Sequence, residues 1–392
     1  MKSRSLVIII FCSINLFIAC TAKSDTSTLD SKIVKSRIVE SNPISDGPYV
    51  FEKDGHREVK WICNGHKQLA SIDLEFPKRI QECGHEITLW EPIPLKNNAT
   101  EIEVQLEYEG DFRVVAASDI HGQYDLFIKL LKINDVLDDK SQWNLGNGHL
   151  VITGDVFDRG PQVIKALWFL YDLEKQAEQA GGKVHLLLGN HEVMVLNGDL
   201  RYLNDKYVQV AKIMQTKYQD LFSKGSVLGN WLRSRPVLIK VNKILFTHGG
   251  FNPKLAQLKM PLDEINRIFK ANLVKDEMDI ARSGIGKYLH KKNGLIWYRG
   301  YFRDNELSKQ DISLLLNHFD VTHIVVGHTT QNKIKSVHNG KIIVIDAGMK
   351  DGQYGELLFW ESSVFSRASL SGEKIRLVEA TNAYKGSVIQ KN

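Results

Sequence analysis

Five times in this chain an apolar run ends in aspartate, asparagine or histidine beside glycine, and this repetition constrains the fold more than any other feature. Residues 112–117 lead into Ser118-Asp119-Ile120-His121-Gly122, and residues 149–153 into Gly154-Asp155-Val156-Phe157-Asp158-Arg159-Gly160. Residues 183–188 lead into Gly189-Asn190-His191-Glu192, 243–246 into Thr247-His248-Gly249-Gly250, and 321–326 into Gly327-His328-Thr329-Thr330. Each run reads as a short buried strand, and each glycine lets the chain bend sharply. In an open α/β sheet, loops at the carboxyl ends of strands face a shared ligand crevice. Taken singly, Asp and Gly mark ordinary turns. Five in this order point to one site.

The set resembles the metallophosphoesterases, in their phosphoprotein-phosphatase branch, with Ser118 standing where the first glycine is usual. Three further stretches are similar to the Shewanella-like phosphatases: Asn190-His191-Glu192-Val193-Met194, Gly198-Asp199-Leu200-Arg201-Tyr202 and Trp297-Tyr298-Arg299-Gly300. The resemblance spans residues 112–348 and implies an α/β fold, a double β-sheet sandwich flanked by helices with metals at the strand ends.

What the resemblance implies for single residues follows the motifs. Asp155 would bridge two divalent metal ions, with Asp119 and His121 completing one and Asn190, His248 and His328 the other. These oxygen and imidazole donors suit manganese, iron or zinc alike. Arg159 and Arg299 would clamp phosphate, because a guanidinium can bind two oxygens at once. His191 would protonate the leaving oxygen, and Asp158 would fix its tautomer. Outside the motif, Asp158 equally reads as a loop-capping carboxylate and Asn190 as a turn residue. Glu192 reads as a support for its neighbours. His149, His185, His290, His318, His323 and His338 read as structural or surface residues, and Asp199 and Arg201 match a motif without a physical role.

The rest of the chain divides by pattern. Lys2 and Arg4 precede an apolar stretch over residues 6–19 that is too short for a confident membrane span and has the form of a signal peptide. The stretch ends at Cys20 in a sequence resembling a bacterial lipobox, which implies lipidation of Cys20 and anchoring to membrane in the bacterial cell envelope. Ordinary secretion is the alternative. Residues 20–46 then read as a flexible tether, 47–108 as a small β-rich module, 109–380 as the catalytic domain and 381–392 as a tail. Cys63 and Cys83 would form a disulfide outside the cytoplasm. Zinc held with His66 and His85 is the alternative. Within the catalytic region a helix is expected from Pro161 to residue 180, helical inserts lie between Asn190 and His248 and over 253–293, and strands return at 356–360 and 374–378.

A net charge of +5 without a long Lys/Arg run gives no sign of a nucleic-acid groove. The reading is a metal-dependent phosphomonoesterase, a protein phosphatase acting on phosphorylated protein, including phosphotyrosine as in some of the resembling family, or on a small phosphoester. Dinucleoside-polyphosphate hydrolases share the loops and a Trp-x-Arg-Gly element, but their substrates are cytoplasmic and this chain carries an export signal. A surface lipoprotein that only binds is the reading from another class, and the complete ligand and acid sets oppose it.

Overall fold

The central strands are apolar on both faces because both faces are covered. The computed structural model describes residues 43–53, 55–72, 78–83, 85–89, 105–302 and 307–377. The expected leader, Cys20, the expected tether up to residue 42, Trp90 and the expected tail at 381–392 lie outside the described residues.

Two six-stranded sheets form the catalytic region. One runs Lys374–Arg376, Val364–Ala368, Leu357–Glu361, Val114–Ala117, His149–Ile152, Lys183–Leu186, with the last three strands parallel. The other runs Lys335–Val337, Ile342–Val344, His323–Val326, Ile244–Thr247, Leu238–Val241, Glu107–Tyr108. Alternate residues of both sheets (Val114, Ala116, Val151, Ile239, Phe246, Val325, Ile343) close one core. Their neighbours (Val115, Ala117, Leu150, Ile152, Leu245, Ile324, Val344) join the core shared with the helices. A period of two splitting one strand between two cores is what a sheet buried on both sides requires.

The helix expected from Pro161 begins at Val163 and runs to Gln179. The backbone N–H groups of Gly160 and Gln162 donate instead to His121 and Gly122 carbonyls, at 2.8 and 3.0 Å, so these residues belong to the loop. The stretch between Asn190 and His248 is helical only as far as Ser234. Leu238–Val241 then pairs antiparallel with Ile244–Thr247. Among the described residues no helix is long and apolar enough to cross a membrane.

At the N-terminal side, Asp46–Lys53, His56–Cys63 and His66–Ile72 form a three-stranded antiparallel sheet. Lys78–Glu82 and His85–Leu89 form a hairpin. A β module this short buries little core by itself, and Tyr49, Val59, Trp61, Ile62, Ile87 and Leu89 share the core beneath Val163–Gln179. Trp168 donates its indole N–H to the Pro48 carbonyl at 2.8 Å, and Lys206 pairs with buried Asp46. A disulfide joins Cys63 to Cys83, with Cα atoms 5.6 Å apart, and ties the sheet to the hairpin. A disulfide sulfur offers zinc no thiolate. Glu107–Tyr108, just before the expected boundary at 109, pairs with Leu238–Val241 as an edge strand of the catalytic sheet.

Two buried histidines lie on adjacent strands, His149 opening one and His185 third in the next. His185 Nε2 and His149 Nδ1 lie 3.0 Å apart, and Phe112 stacks on the His149 ring with centroids 3.8 Å apart. Burial, and then the neighbouring Lys183, push His149 down to about 4, while burial and His149 itself hold His185 well below its usual range. The unfolded chain therefore binds protons here below about pH 6.5 that the folded chain refuses until about pH 4. Stability is lost as pH falls through that window. Replacing both with glutamine should flatten the acid limb of stability against pH relative to wild type, read as urea midpoints between pH 6.5 and 4. Parallel curves would mean the pair is not held neutral.

Candidate metal centre and active site

The residues singled out at the five strand ends meet in one place, and many do so in backbone conformations that side chains rarely adopt. Asp119, His121, Asp155, Asp158, Arg159 and His328 all have φ between 47° and 68°. Left-handed backbone at non-glycine residues is costly and clusters at functional sites. Cross-loop bonds hold it: Asp119 N–H donates to the Gly154 carbonyl at 3.1 Å, and His121 N–H to the Asp155 carbonyl at 2.9 Å. Gly154 has no substitute here, because it takes φ 107° and a Cβ would lie 2.4 Å from the Gly189 nitrogen.

Asp155 is the centre. Its Oδ2 lies 3.1 Å from His248 Nε2 and 3.8 Å from Nε2 of both His121 and His191. Burial alone would raise this carboxyl, but the imidazoles of His248, His191 and His121 override it and hold it well below the usual carboxylate range. Asp119 Oδ1 lies 3.8 Å from His121 Nε2, and Asn190 Oδ1 lies 2.9 Å from His248 Nε2. The donor atoms of Asp155, His248 and His328 all fall within 4.8 Å of one another, as do those of His121, Asp155 and His191. His191 thus stands closer to the cluster than its role as an acid alone requires.

These donors fit divalent cations. His121 Nδ1 donates to the Phe157 carbonyl at 2.7 Å and His248 Nδ1 to the Thr153 carbonyl at 3.0 Å, which turns both Nε2 lone pairs toward Asp155. That outer hydrogen bond is the usual support of a ligating histidine. His328 Nε2 is buried without a hydrogen-bond partner. Asp119, Asp155, Asp158, Glu192 and Asp346 are buried together, whereas the pocket's own cations, Arg159, Arg299 and Lys350, are not buried. Burial first, and then the Asp346 charge, push Asp119 up to about 8. Burial opposes a charge on His248, yet Asp155 and Asp119 raise it to about 9. Such an excess of buried negative charge is what a divalent cation offsets.

The remaining residues surround a pocket of about 100 Å³. His191 Nδ1 bonds Asp158 Oδ2 at 2.5 Å, leaving Nε2 toward the cluster. Asp155 and Asp158 raise His191 against the effect of burial. Arg159 lies with its guanidinium 5.0 Å from the Tyr202 ring centroid, and Arg299 donates to the His328 carbonyl at 2.9 Å and to Thr329 Oγ1 at 3.0 Å. Both arginines line the pocket.

The family model for calcineurin-like phosphoesterases matches residues 112–332, more than half of the chain. The chain belongs to that family.

Within the calcineurin-like phosphoesterases, several proteins are similar over most of this chain. A cold-active protein-tyrosine phosphatase of a psychrophilic Shewanella shares 38% identity and a TM-score of 0.78, covering 86% of this chain and 100% of its own. Shewanella-like protein phosphatase 1 of Plasmodium berghei is 29% identical over 60% of this chain and 67% of its own. Shewanella-like protein phosphatase 2 of Arabidopsis thaliana is 27% identical over 64% and 74%. The chain is accordingly a metal-dependent phosphatase.

Three features of this phosphoesterase site follow from the geometry. Ser118, in place of glycine, bonds Asp119 Oδ2 and accepts from Thr153 Oγ1 at 2.7 Å; a Cβ on Gly327 would meet its hydroxyl at 1.9 Å. Glu192 accepts from the N–H groups of Asp155, Val156 and Gly189 at 2.7–2.8 Å, which fastens two site loops together. Asp346 Oδ2 is buried without a hydrogen-bond partner, and its charge acts on Asp119. Asp346 ends the apolar run 342–345 two residues before Gly348, a sixth instance of the pattern that revealed the other five. Tyr202, Thr330 and Lys350 also line the pocket.

Proposed function

We propose that this chain is a protein phosphatase that hydrolyses phosphotyrosine, working from the bacterial cell envelope. The observation that carries the reading is the His191–Asp158 pair set against Asp155 in a pocket that Arg159 and Arg299 also line. The likeness to a protein-tyrosine phosphatase across 86% of the chain supports the substrate class.

Asp119, His121 and Asp155 would hold one divalent cation, and Asp155, Asn190, His248 and His328 a second, with manganese, iron and zinc all compatible with the donors. The bound cations supply charge neutralisation and water activation. Arg159 and Arg299 offer planar guanidinium forks to the phosphate oxygens. His191 carries a proton at Nε2 for the leaving phenolate oxygen, while Asp158 keeps the Nδ1 proton in place and stabilises the charged ring.

A substrate panel on the purified protein, with each metal restored after chelation, tests this reading. Phosphotyrosine peptides should give the highest kcat/KM, above phosphoserine peptides, nucleotides and dinucleoside polyphosphates. Preference for dinucleoside polyphosphates would overturn it. Envelope attachment rests on Cys20, since one lipid chain binds a membrane only marginally and stable anchoring takes more than one. Cys20→Ala should shift the protein from the membrane fraction to the soluble or unprocessed pool. A normally cleaved product still held in the membrane would remove Cys20 from that role.

A further inference from the structure

Beyond Trp297 and Arg299 the small catalytic pocket opens into a groove of about 880 Å³, sharing Asn190 with it as well. The former has room for a phosphoryl group; the latter has room for several residues of a chain. One wall is the helix Asn190–Leu196 and the turn after it, and the other is formed by residues 275–292.

Charge is sorted across this groove. Lys275, Lys287, Lys291 and Lys292 line it, all four are exposed, and among the described residues none of them forms an ion pair. Asp276, Glu277 and Asp279 share the Lys275 segment but do not line the groove, and Glu277 turns away to Arg233 and Lys224. The one acid among the described lining residues, Asp199, is taken by Arg201 through Nε–Oδ1 and Nη2–Oδ2 contacts of 2.9 and 2.5 Å. This gives the Asp199/Arg201 motif a physical role: it pairs off the single negative charge among the described lining residues, which otherwise carry only positive charge. Surface lysines usually just solvate a helix face. Here they line a groove continuous with the catalytic pocket, and the neighbouring acids Asp276, Glu277 and Asp279 do not line it.

Val193, Met194, Met278 and Trp297 line the groove too, apolar surface suited to an aromatic ring and an extended backbone. Cations spread over two separate segments of a groove that also has apolar lining match acidic side chains along a peptide better than phosphates concentrated in one nucleotide. We infer that the groove binds acidic residues flanking the phosphorylated residue, so that the enzyme selects acidic phosphopeptides. This rests on the protein-phosphatase reading above.

The test uses three phosphotyrosine peptides of one length whose flanking positions are acidic, alanine or basic. Each kcat/KM is divided by the same enzyme preparation's value for nitrophenyl phosphate. At low salt the acidic peptide should exceed the alanine peptide by about tenfold, the effect of a few exposed ion pairs acting together. The ratio should shrink toward one in about 0.5 M salt, where screening is short-ranged. The double variant Lys287→Glu/Lys291→Glu, checked for native circular dichroism, should lose the preference or turn it toward the basic peptide. Equal values for all three peptides in wild type would overturn the inference and leave the phosphatase reading intact. So would an acidic preference that survives the double variant. Hydrolysis of diadenosine tetraphosphate with no phosphopeptide turned over would instead sink the protein-phosphatase reading, and the groove's role with it.

Discussion

Asp155→Asn should reduce phosphoester hydrolysis by roughly 10³-fold or more, because two-cation catalysis supplies several kcal/mol and each 1.36 kcal/mol is tenfold in rate. The substitution keeps shape and removes charge. Asp155 Oδ2 lies near three imidazole Nε2 atoms, at 3.1 Å from His248 and 3.8 Å from His121 and His191. Its other oxygen accepts the His191 N–H at 2.9 Å. An asparagine could keep that second bond with its carbonyl oxygen. It would then point an NH₂ group at lone pairs and cations, where no donor belongs. Elemental analysis should fall from two metals per chain to fewer than one, while circular dichroism stays native. Wild-type turnover with two tightly held metals would remove Asp155 from the bridging position.

Much of this site was legible because its chemistry sits at strand ends. A strand entering a sharp loop needs apolar residues and then glycine, so the functional residues are framed by signals that sequence carries. Asp346 escaped only because its glycine comes two residues later and its histidine neighbours are absent. Tyr202 and Lys350 were not legible on these grounds. Tyr202 reaches Arg159 through the tertiary fold, by a carbonyl that accepts the Arg159 N–H at 3.0 Å and a ring under its guanidinium. The same holds for the helix start. Pro161 suits a first turn, but loop bonds to His121 and Gly122 outcompete it and delay the helix to Val163. The strand Leu238–Val241 was hidden by the helical segments before it, although its apolar run follows Pro236, a residue that breaks a helix. The core shared by the N-terminal sheet and Val163–Gln179 depends on which helix face is offered to it, and local pattern does not encode that.

The variant His191→Asn separates proton donation from phosphate binding, since the value of an acid depends on how much the leaving group needs one. In the folded chain the Asp158 bond fixes the ring, and Nε2 stands 3.8 Å from Asp155 Oδ2 inside the pocket. Burial opposes a charge on His191, but Asp155 and Asp158 raise its affinity for the proton that an acid must carry. A tyrosine oxygen has a pKa of about 10 and leaves poorly without a proton. A nitrophenolate is far less basic and leaves readily unprotonated. The variant should therefore slow phosphotyrosine hydrolysis by roughly 10²–10⁴-fold, the usual worth of a positioned acid, with a smaller loss on nitrophenyl phosphate. Single-turnover rates are the proper measure, because they establish that chemistry limits both reactions. Metal content must be measured alongside, since His191 adjoins Asn190 and its backbone N–H holds Asp155 Oδ1. Equal losses on both esters with metals retained would show that His191 binds phosphate, and the proton would then have to come from another group.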